Sequence, residues 1–422
     1  MMPLKILFLL SDVRDSATYV RAFNLSKQIA VLGHDITLMA VSPDSTFGSA
    51  HYVKDGVKII ETPHFMHNGL GHFTRRLFLD PGTGILDIFL RLREAARGHY
   101  DIVQLFDHSL NVFVPWWALK NRVKGKFVSD WCDIFNYEGG LRYAYCFRLD
   151  CVYKVIGFPF RKLSHYLEFN LRRQVNGVTA ISNALRDFAV RHGVGKDNIF
   201  VLEGGADVDA IKPLPKKEAR KRLGLPVDSN IVGFLGTFQG DLDIVIQSFA
   251  RVKQEIPDAY LLIIGKPSPW IKTALAAAGI SSSYLEAGRC SDELLPQYLA
   301  CVDVLALPLR ENLASETRWP NRIGEYMACG RPIVVSNVGD TAKVVRNHEI
   351  GLVAEPDVAS FAANIVKLLL NAPLARDMGE KARELACSRY SWALQAAKLE
   401  VFYFHLLACD PPSEAPAGVP AS

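Results

Sequence analysis

LPLRENLASETRWPNRIGEYMACGRPIVVS, residues 307–336, is the stretch from which the rest of the chain is best read. An apolar run, Val302 to Leu307, stops at Pro308; a charged loop follows, and a short helix opens at Pro320. Proline suits a first helical turn because its missing N–H would have no intrahelical partner there. Gly330 ends the helix, and Pro332 to Val335 reads as the next buried strand. Strand, loop and helix N-terminus in that order make an anion site, since unpaired N–H groups and the helix dipole point into the loop. Arg318 and Arg322 flank that terminus and Glu325 lies one turn inside. Cations beside a carboxylate suit a phosphate joined to a sugar, and the remaining chain is expected to bring a second substrate to this place.

The same alternation runs outward from there. Leu4 to Leu10 is apolar, Thr18 to Leu32 carries helical spacing closed by Gly33, and Asp35 to Val41 is a second strand. Val57 to Glu61, Ile102 to Leu105, Lys126 to Ser129 and Val178 to Ile181 continue the strands, with a helix from about Ile85 to Gly98 among them. A second series opens with the strand and glycine turn IVGFLG at Ile231, followed by a helix from Leu242 to Lys253. Its further strands are Tyr260 to Ile264, Ser283 to Leu285, Val302 to Leu305 and Ile333 to Val335. Such alternation predicts right-handed βαβ units and parallel sheets covered on both faces. The expected class is α/β, two doubly wound halves with the ligand in the cleft between the strands' carboxyl ends. Between the halves, GGADVDAIKPLPKKEARKRLGLPVDSN (204–230) holds three prolines and six basic residues, a turn followed by an exposed basic helix.

Size and composition agree. At 422 residues the chain exceeds one ordinary core and suits two domains of roughly 200 each. A formal net charge of +4 is small for this length and argues against a dedicated nucleic-acid binder. The eight cysteines are Cys132, Cys146, Cys151, Cys290, Cys301, Cys329, Cys387 and Cys409. They form no Cys-x-x-Cys pair or zinc spacing and are expected as small buried hydrophobes in a reducing compartment. MMPLKILFLLSDVRD has too short an apolar run for a secretion signal and reads as a first buried strand. No run reaches the roughly 20 apolar residues of a membrane span.

The order of fragments resembles one family, the retaining, metal-independent glycosyltransferases with the GT-B fold, of the large bacterial polysaccharide and lipopolysaccharide group 1 type. The fragments are LSKQIAVLGHDITLMA, then VTAISNALRDFAVRHGV followed by NIFVLEGGADVDAIKP, then GRPIVVS after the short helix. GLVAEPDVASFAANIVKLL and SRYSWALQAAKLEVFYFHLL complete them, so the similarity covers most of the chain. The resemblance implies two Rossmann-like domains: an acceptor-side domain over 1–205 and a nucleotide-sugar-binding domain over 206–389. It also implies a helix at about 390–408 that crosses back to the first domain. A Pro-rich tail, 409–422, is expected to be disordered. The activity implied is transfer of a hexose from a UDP- or GDP-type sugar to a hydroxyl of a glycan or lipid-linked glycan. Anomeric configuration is retained, and no cofactor is expected.

Glu325 matches the family glutamate that bonds the donor ribose. Its signature partner falls on Thr317, with Glu316 one residue early, and PNRIGEYMACGRP looks like the subtype in which this irregularity occurs. The family places an Arg and a Lys after the first strand of the second domain; here GTFQGDLD offers Thr237 and Gln239 but no cation. Diphosphate charges leaving water need partners, and the planar guanidiniums of Arg318 and Arg322 are the expected substitutes. The family glycines before the first helix are missing from SDVRDSATYVR, where either Ser16 and Thr18 supply hydroxyls or the donor approaches differently. The candidates are therefore His108, Glu316 and Arg322 for catalysis. Thr237, Lys266, Arg289, Arg318, Asn321, Ile323 and Glu325 are candidates for the donor. No residue is assigned to a metal: Asp241-x-Asp243 sits at a helix start rather than a strand end.

Other residues keep two readings. His108, in LFDHSLNV, either contacts a hexose or starts a helix capped by Asp107. Asp130 and Asp133, in FVSDWCDIFNYEGG, either bond sugar hydroxyls beside a stacking Trp131 or Tyr137, or cap the following segment. Arg289 and Ser291 frame the nucleobase or phosphate, or Ser291 is simply a helix N-cap; Gly265 and Lys266 are similarly placed. His34 is assigned no role. Over 142–173, Arg142, Arg148, Lys154, Arg161, Lys162, Arg172 and Arg173 interleave with Phe147, Tyr153, Phe158, Phe160 and Tyr166. They suit either an anionic membrane surface bearing a lipid-linked acceptor or helices with a solvated charged face. The expected location is cytoplasmic, peripheral on the inner face of the membrane. Two rivals stand beside the transferase. One is a catalytically silent GT-B subunit that binds a partner, favoured by the departures above. The other is a nucleotide-sugar epimerase or hydrolase, which needs acidic residues crowding the anomeric centre.

Overall fold

Apolar runs that alternate with amphipathic helices become parallel strands in the computed structural model, which describes residues 2–14, 16–43, 48–63, 85–135, 137, 158–236 and 239–408. The first sheet holds β1 (Lys5–Val13), β2 (Asp35–Val41), β3 (Ala50–Lys54), β4 (Val57–Thr62), β5 (Ile102–Leu105), β6 (Lys126–Trp131), β7 (Gly177–Ala180) and β8 (Ile199–Val201). Their order is β3-β4-β2-β1-β5-β6-β7-β8, and only β3 runs antiparallel, against β4. Leu7 at the centre lies opposite Thr37 on one side and Val103 on the other. Its helices are α1 (Ala17–Val31), α2 (Ile85–Arg97), α3 (Leu110–Leu119), α4 (Phe158–Gln174) and α5 (Asn183–Arg191).

After α6 (Lys216–Arg222) a second, all-parallel sheet begins: β9 (Ile231–Leu235), β10 (Tyr260–Ile264), β11 (Tyr284–Gly288), β12 (Val304–Leu307), β13 (Ile333–Ser336) and β14 (Gly351–Ala354), in the order β11-β10-β9-β12-β13-β14. Its helices are α7 (Gln239–Glu255), α8 (Pro269–Ala277), α9 (Leu295–Ala300), α10 (Leu313–Thr317), α11 (Arg322–Ala328), α12 (Gly339–Asn347), α13 (Val358–Leu370) and α14 (Ala372–Arg389). The last helix, α15 (Trp392–Ala408), returns to the first sheet. There Phe402 stacks on Phe200 at 5.2 Å and Tyr403 donates to Gln104. His34, given no role above, fastens the same helix: its Nδ1 accepts from the Leu4 N–H at 2.9 Å and its Nε2 meets Glu400 at 2.8 Å.

Among the elements outside the expected series are β3 and α10. Asp55 and Gly56 adopt φ of 49° and 79°, the left-handed pair that closes a tight hairpin, so β3 forms in a stretch for which no strand was expected. Within the charged loop after Pro308, Asn312 accepts from the Ser315 N–H at 2.9 Å and starts α10. Strand β6 also runs two residues beyond its expected end at Ser129, which puts Asp130 inside the sheet. Of the expected disordered tail, 409–422, and the basic-aromatic segment up to 157, every residue lies outside those described.

The interior position of Asp130 has a cause. Arg21, on α1, is fully buried and makes a two-pronged ion pair with Asp130, Nε and Nη2 each 3.0 Å from a carboxylate oxygen. Its remaining donors reach the carbonyls of Leu202 and Glu203 at 2.8 and 3.1 Å. Asp130 also accepts from Thr179 at 2.6 Å and from the Cys132 thiol at 2.9 Å. A sugar-binding or capping role for Asp130 is thereby replaced by an internal one. The chain then crosses between domains twice, side by side: Ala206 N donates to Tyr390 O at 2.8 Å and Trp392 N to Ala206 O at 3.1 Å. Glycine is required here, since a Cβ on Gly205 would come within 2.9 Å of Trp392, and one on Gly324 within 2.9 Å of the Gly205 carbonyl.

Arg21→Ala should destabilise the protein by roughly 3–5 kcal/mol in urea unfolding, because it leaves Asp130 charged, buried and short of its partner. A loss below about 1 kcal/mol would contradict this assignment.

Candidate active site

In each sheet the strand order reverses once, between β1 and β5 in the first and between β9 and β12 in the second. Loops diverge at such points and leave a crevice at the strands' carboxyl ends. In the second domain that crevice holds an arginine cluster. Asp241, in the first turn of α7 and fully buried, accepts from Arg318 Nη2 with both oxygens at 3.0 Å and from Arg322 Nη2. Arg322 also donates Nη1 to the Leu235 carbonyl at 3.0 Å and lies 4.7 Å over the Phe234 ring. Gly236, at φ +117°, passes so close that a Cβ would sit 3.2 Å from Arg322 Nη1. The two arginines, expected as substitutes for the missing family cations, are braced by a carboxylate they share.

The helix beside them also differs from expectation. The N–H of Ile323 and that of Gly324 turn back onto the carbonyls of Pro320 and Asn321 at 3.1 Å each, so the first turn of α11 offers fewer unpaired donors than the sequence suggests. Ile323 itself is a core residue, and the Asn321 amide donates to the Ala17 carbonyl of the first domain at 3.3 Å. Glu325 stands one turn inside α11, half-buried. Burial pushes its carboxyl up to about 7 against the pull of Arg322, with Asp292 adding to the rise.

On the first-domain side, Asp107 is not itself the N-cap of α3, although its Oδ1 accepts from the N–H of the N-cap Ser109 at 2.7 Å. Asp107 also accepts from the Ser11 N–H at 3.1 Å and from the Ser11 hydroxyl, joining the ends of β5 and β1. His108 is buried, with Nε2 at 3.9 Å from Glu168 and its ring 5.8 Å from that of Phe135. Glu168 accepts from the Phe135 N–H at 3.2 Å. Asp133 is half-buried, and burial pushes its carboxyl up to about 7; Arg318 of the second domain opposes the rise and Glu168 adds to it. Asp133 and Arg318 thus feel each other across the cleft. Trp131 is no sugar platform: it is fully buried, with the Arg172 guanidinium 4.3 Å over its ring. Arg172 therefore leaves the solvated basic face, and Arg173 donates to the His192 carbonyl at 2.9 Å.

The other candidates are more scattered. Thr317, the position of the signature partner, turns its hydroxyl into its own helix to Leu313 O at 2.8 Å, while the Glu316 side chain is exposed. Lys266 and Arg289 are exposed beyond β10 and β11. Thr237 lies outside the described residues. Asp243, the second acid of Asp241-x-Asp243, holds Arg310. The structure therefore brings together Arg318, Arg322 and Glu325, with Asp133 interacting with Arg318 from the other domain and His108 buried beside Glu168 within its own. Asp241, read in the sequence only as part of an Asp-x-Asp spacing, is the partner of both arginines, a pairing across 77 and 81 positions that the sequence does not signal.

Two facing Rossmann-like domains with a returning terminal helix are the GT-B architecture, and the arginine cluster lies at the crevice of its second domain. Residues 229–371, within this second domain, match the family model described as glycosyl transferases group 1. Among curated relatives, D-inositol 3-phosphate glycosyltransferase from Stackebrandtia nassauensis is 29% identical over 219 residues, 48% of each chain. That from Mycolicibacterium paratuberculosis is 32% identical over 219 residues, 48% of this chain and 46% of its own. The matched region thus spans about half the length of these relatives. Among solved structures, sucrose-phosphate synthase from Thermosynechococcus elongatus aligns with a TM-score of 0.74 at 18% identity, covering 97% of this chain and all of the other. HepE from Anabaena, solved with UDP and glucose, aligns with a TM-score of 0.70 at 15% identity over 95% of this chain and 100% of its own. These likenesses show the GT-B fold for the whole chain.

The raised carboxyls make a pH prediction. Glu325 binds its proton more tightly when folded than at its ordinary 4.5, so its contribution to stability is fully present below that value and is lost as pH rises through about 7. A Glu325→Gln protein, whose amide does not titrate, should lose less stability than wild type between pH 5 and pH 8, by on the order of 1–3 kcal/mol in urea titrations. Identical pH dependence in the two proteins would contradict the assignment.

Proposed function

We propose that the protein moves a hexose from a UDP- or GDP-type sugar to a hydroxyl acceptor, with retention at the anomeric carbon. The observation that carries this reading is the Arg318–Asp241–Arg322 cluster at the β9/β12 crevice, inside the domain that matches the glycosyl transferase family. The leaving group is a diphosphate, so catalysis needs stabilisation of developing negative charge more than it needs a strong acid. Arg318 and Arg322 supply that charge, held apart by Asp241. Glu325 receives the ribose hydroxyls from the neighbouring helix. His108, with Glu168 behind it, and Asp133 orient the sugar and the incoming hydroxyl from the first domain. Closing the cleft keeps water from competing with that hydroxyl.

The acceptor in this reading is a glycan or lipid-linked glycan, reached at the cytoplasmic face of a membrane. Exposed Lys162, Leu163 and Tyr166 on α4 support peripheral contact there. Absence of liposome co-sedimentation at low salt would count against it. A second reading, a GT-B subunit that binds but does not transfer, is favoured by one observation: Thr317 is turned inward where the family glutamate belongs. Release of nucleoside diphosphate from a panel of sugar donors separates the two. Turnover with one donor supports transfer, whereas nucleotide binding without turnover on any donor supports the binding subunit.

Arg322→Ala should weaken nucleoside diphosphate binding roughly 10- to 100-fold by calorimetry while leaving the phosphate-free nucleoside within about twofold. Unchanged diphosphate affinity would remove Arg322 from the phosphate site.

A further inference from the structure

Two of the contacts that join the domains converge on a single short helix. Ser182 is the residue before α5, and its hydroxyl serves both sides of the cleft. It accepts from the Leu185 N–H at 3.0 Å as a helix cap, and it donates to the Thr317 carbonyl of the second domain at 2.5 Å. The next two N–H groups, of Asn183 and Ala184, have no partner within their own helix. Both are directed at Asp340 Oδ2 of the second domain, at 2.6 and 3.4 Å. Asp340 is buried, and its other oxygen is held by Lys343 at 3.0 Å. The first turn of α5 is therefore capped half by its own residue and half by a carboxylate from the other domain.

On the second-domain side the two contact points are one body. Gly339 has φ +65°, and a Cβ there would lie 2.7 Å from the Glu316 carbonyl oxygen, so α10 and α12 touch backbone to backbone. Arg318 follows Thr317 directly, which couples the carbonyl that Ser182 holds to the arginine that pairs with Asp241.

We propose that Ser182 and Asp340 form a two-point latch that holds the domains closed and sets the position of α10, and through it of Arg318. They are positioning residues: Ser182 acts through the Thr317 carbonyl, and Asp340 acts through α12, whose Gly339 lies against the Glu316 carbonyl. Opening the cleft hands the same groups to water, so the latch exchanges hydrogen bonds rather than losing them and suits a reversible closure. The role in turnover rests on the transferase reading above; the role in closure does not.

The test uses the full chain as wild type, Asp340→Ala, Asp340→Asn, Ser182→Ala, Ser182→Thr and the Asp340→Ala/Ser182→Ala double variant. Small-angle X-ray scattering, without nucleotide and with UDP or GDP, reads closure. Steady-state kinetics with the donor that wild type accepts reads turnover. Asp340→Ala and Ser182→Ala should enlarge the radius of gyration without nucleotide. They should also lower kcat about tenfold while changing the donor KM by less than about threefold. Ser182→Thr keeps the hydroxyl and should behave as wild type, and Asp340→Asn, which keeps an acceptor oxygen, should fall between. The double variant should lose little more than the worse single, because both arms hold one element. Wild-type scattering and wild-type kcat in the alanine variants would overturn the latch. If wild type turns over no donor, the transferase reading fails and scattering alone decides: expansion of Asp340→Ala supports the latch, and an unchanged profile overturns it.

Discussion

One guanidinium, that of Arg21, determines where the two halves of the molecule meet. It joins α1 to Asp130 on β6 and to the carbonyls of Leu202 and Glu203, where the chain leaves the first sheet. Burying a charge costs several kcal/mol, offset here because Arg21 and Asp130 satisfy one another and Thr179 and Cys132 take up the remaining capacity of the carboxylate. The consequence is geometric: the last residues of the first domain are held as far as Glu203, and the crossing to the second begins at Gly204. From there the chain runs beside its own return at Tyr390 to Trp392, and α15 locks that return onto α1.

The same chemical pair is used differently in the second domain. Arg21 is 1% exposed and meets its carboxylate one to one, so it has nothing left to offer a ligand. Arg318 and Arg322, 13% and 12% exposed, both pair with the buried Asp241 beside the β9/β12 crevice. Greater exposure separates this pair from the internal brace. Asp133, whose carboxyl feels Arg318 from across the cleft, and the contacts of Ser182 and Asp340 make that site a property of both domains together.

Much of the fold was legible because buried parallel strands need apolar runs and their crossover helices need amphipathic ones. Elements of low apolar content were not. The hairpin of β3 rests on Asp55-Gly56, a turn signal passed over because AHYVK has no apolar alternation, and α10 is a single turn started by the Asn312 cap. For the site, spacing along the chain pointed to Arg318, Arg322 and Glu325 because they lie within one loop and one helix turn. Asp241 is distant in sequence, and its pairing with the arginines depends on the β9/β12 neighbour relation, which only the sheet order reveals. Asp130 was ambiguous for the same reason: its partner Arg21 lies 109 positions earlier, on another element.

The central claim is that the Arg318–Asp241–Arg322 cluster receives the phosphates of a nucleotide whose ribose rests on Glu325. A crystal structure of the full chain with bound UDP or GDP tests it most directly. Diphosphate oxygens should lie within about 3 Å of guanidinium nitrogens of Arg318 or Arg322, and ribose hydroxyls at the same distance from Glu325. A nucleotide bound elsewhere, with neither arginine in contact with it, would contradict it.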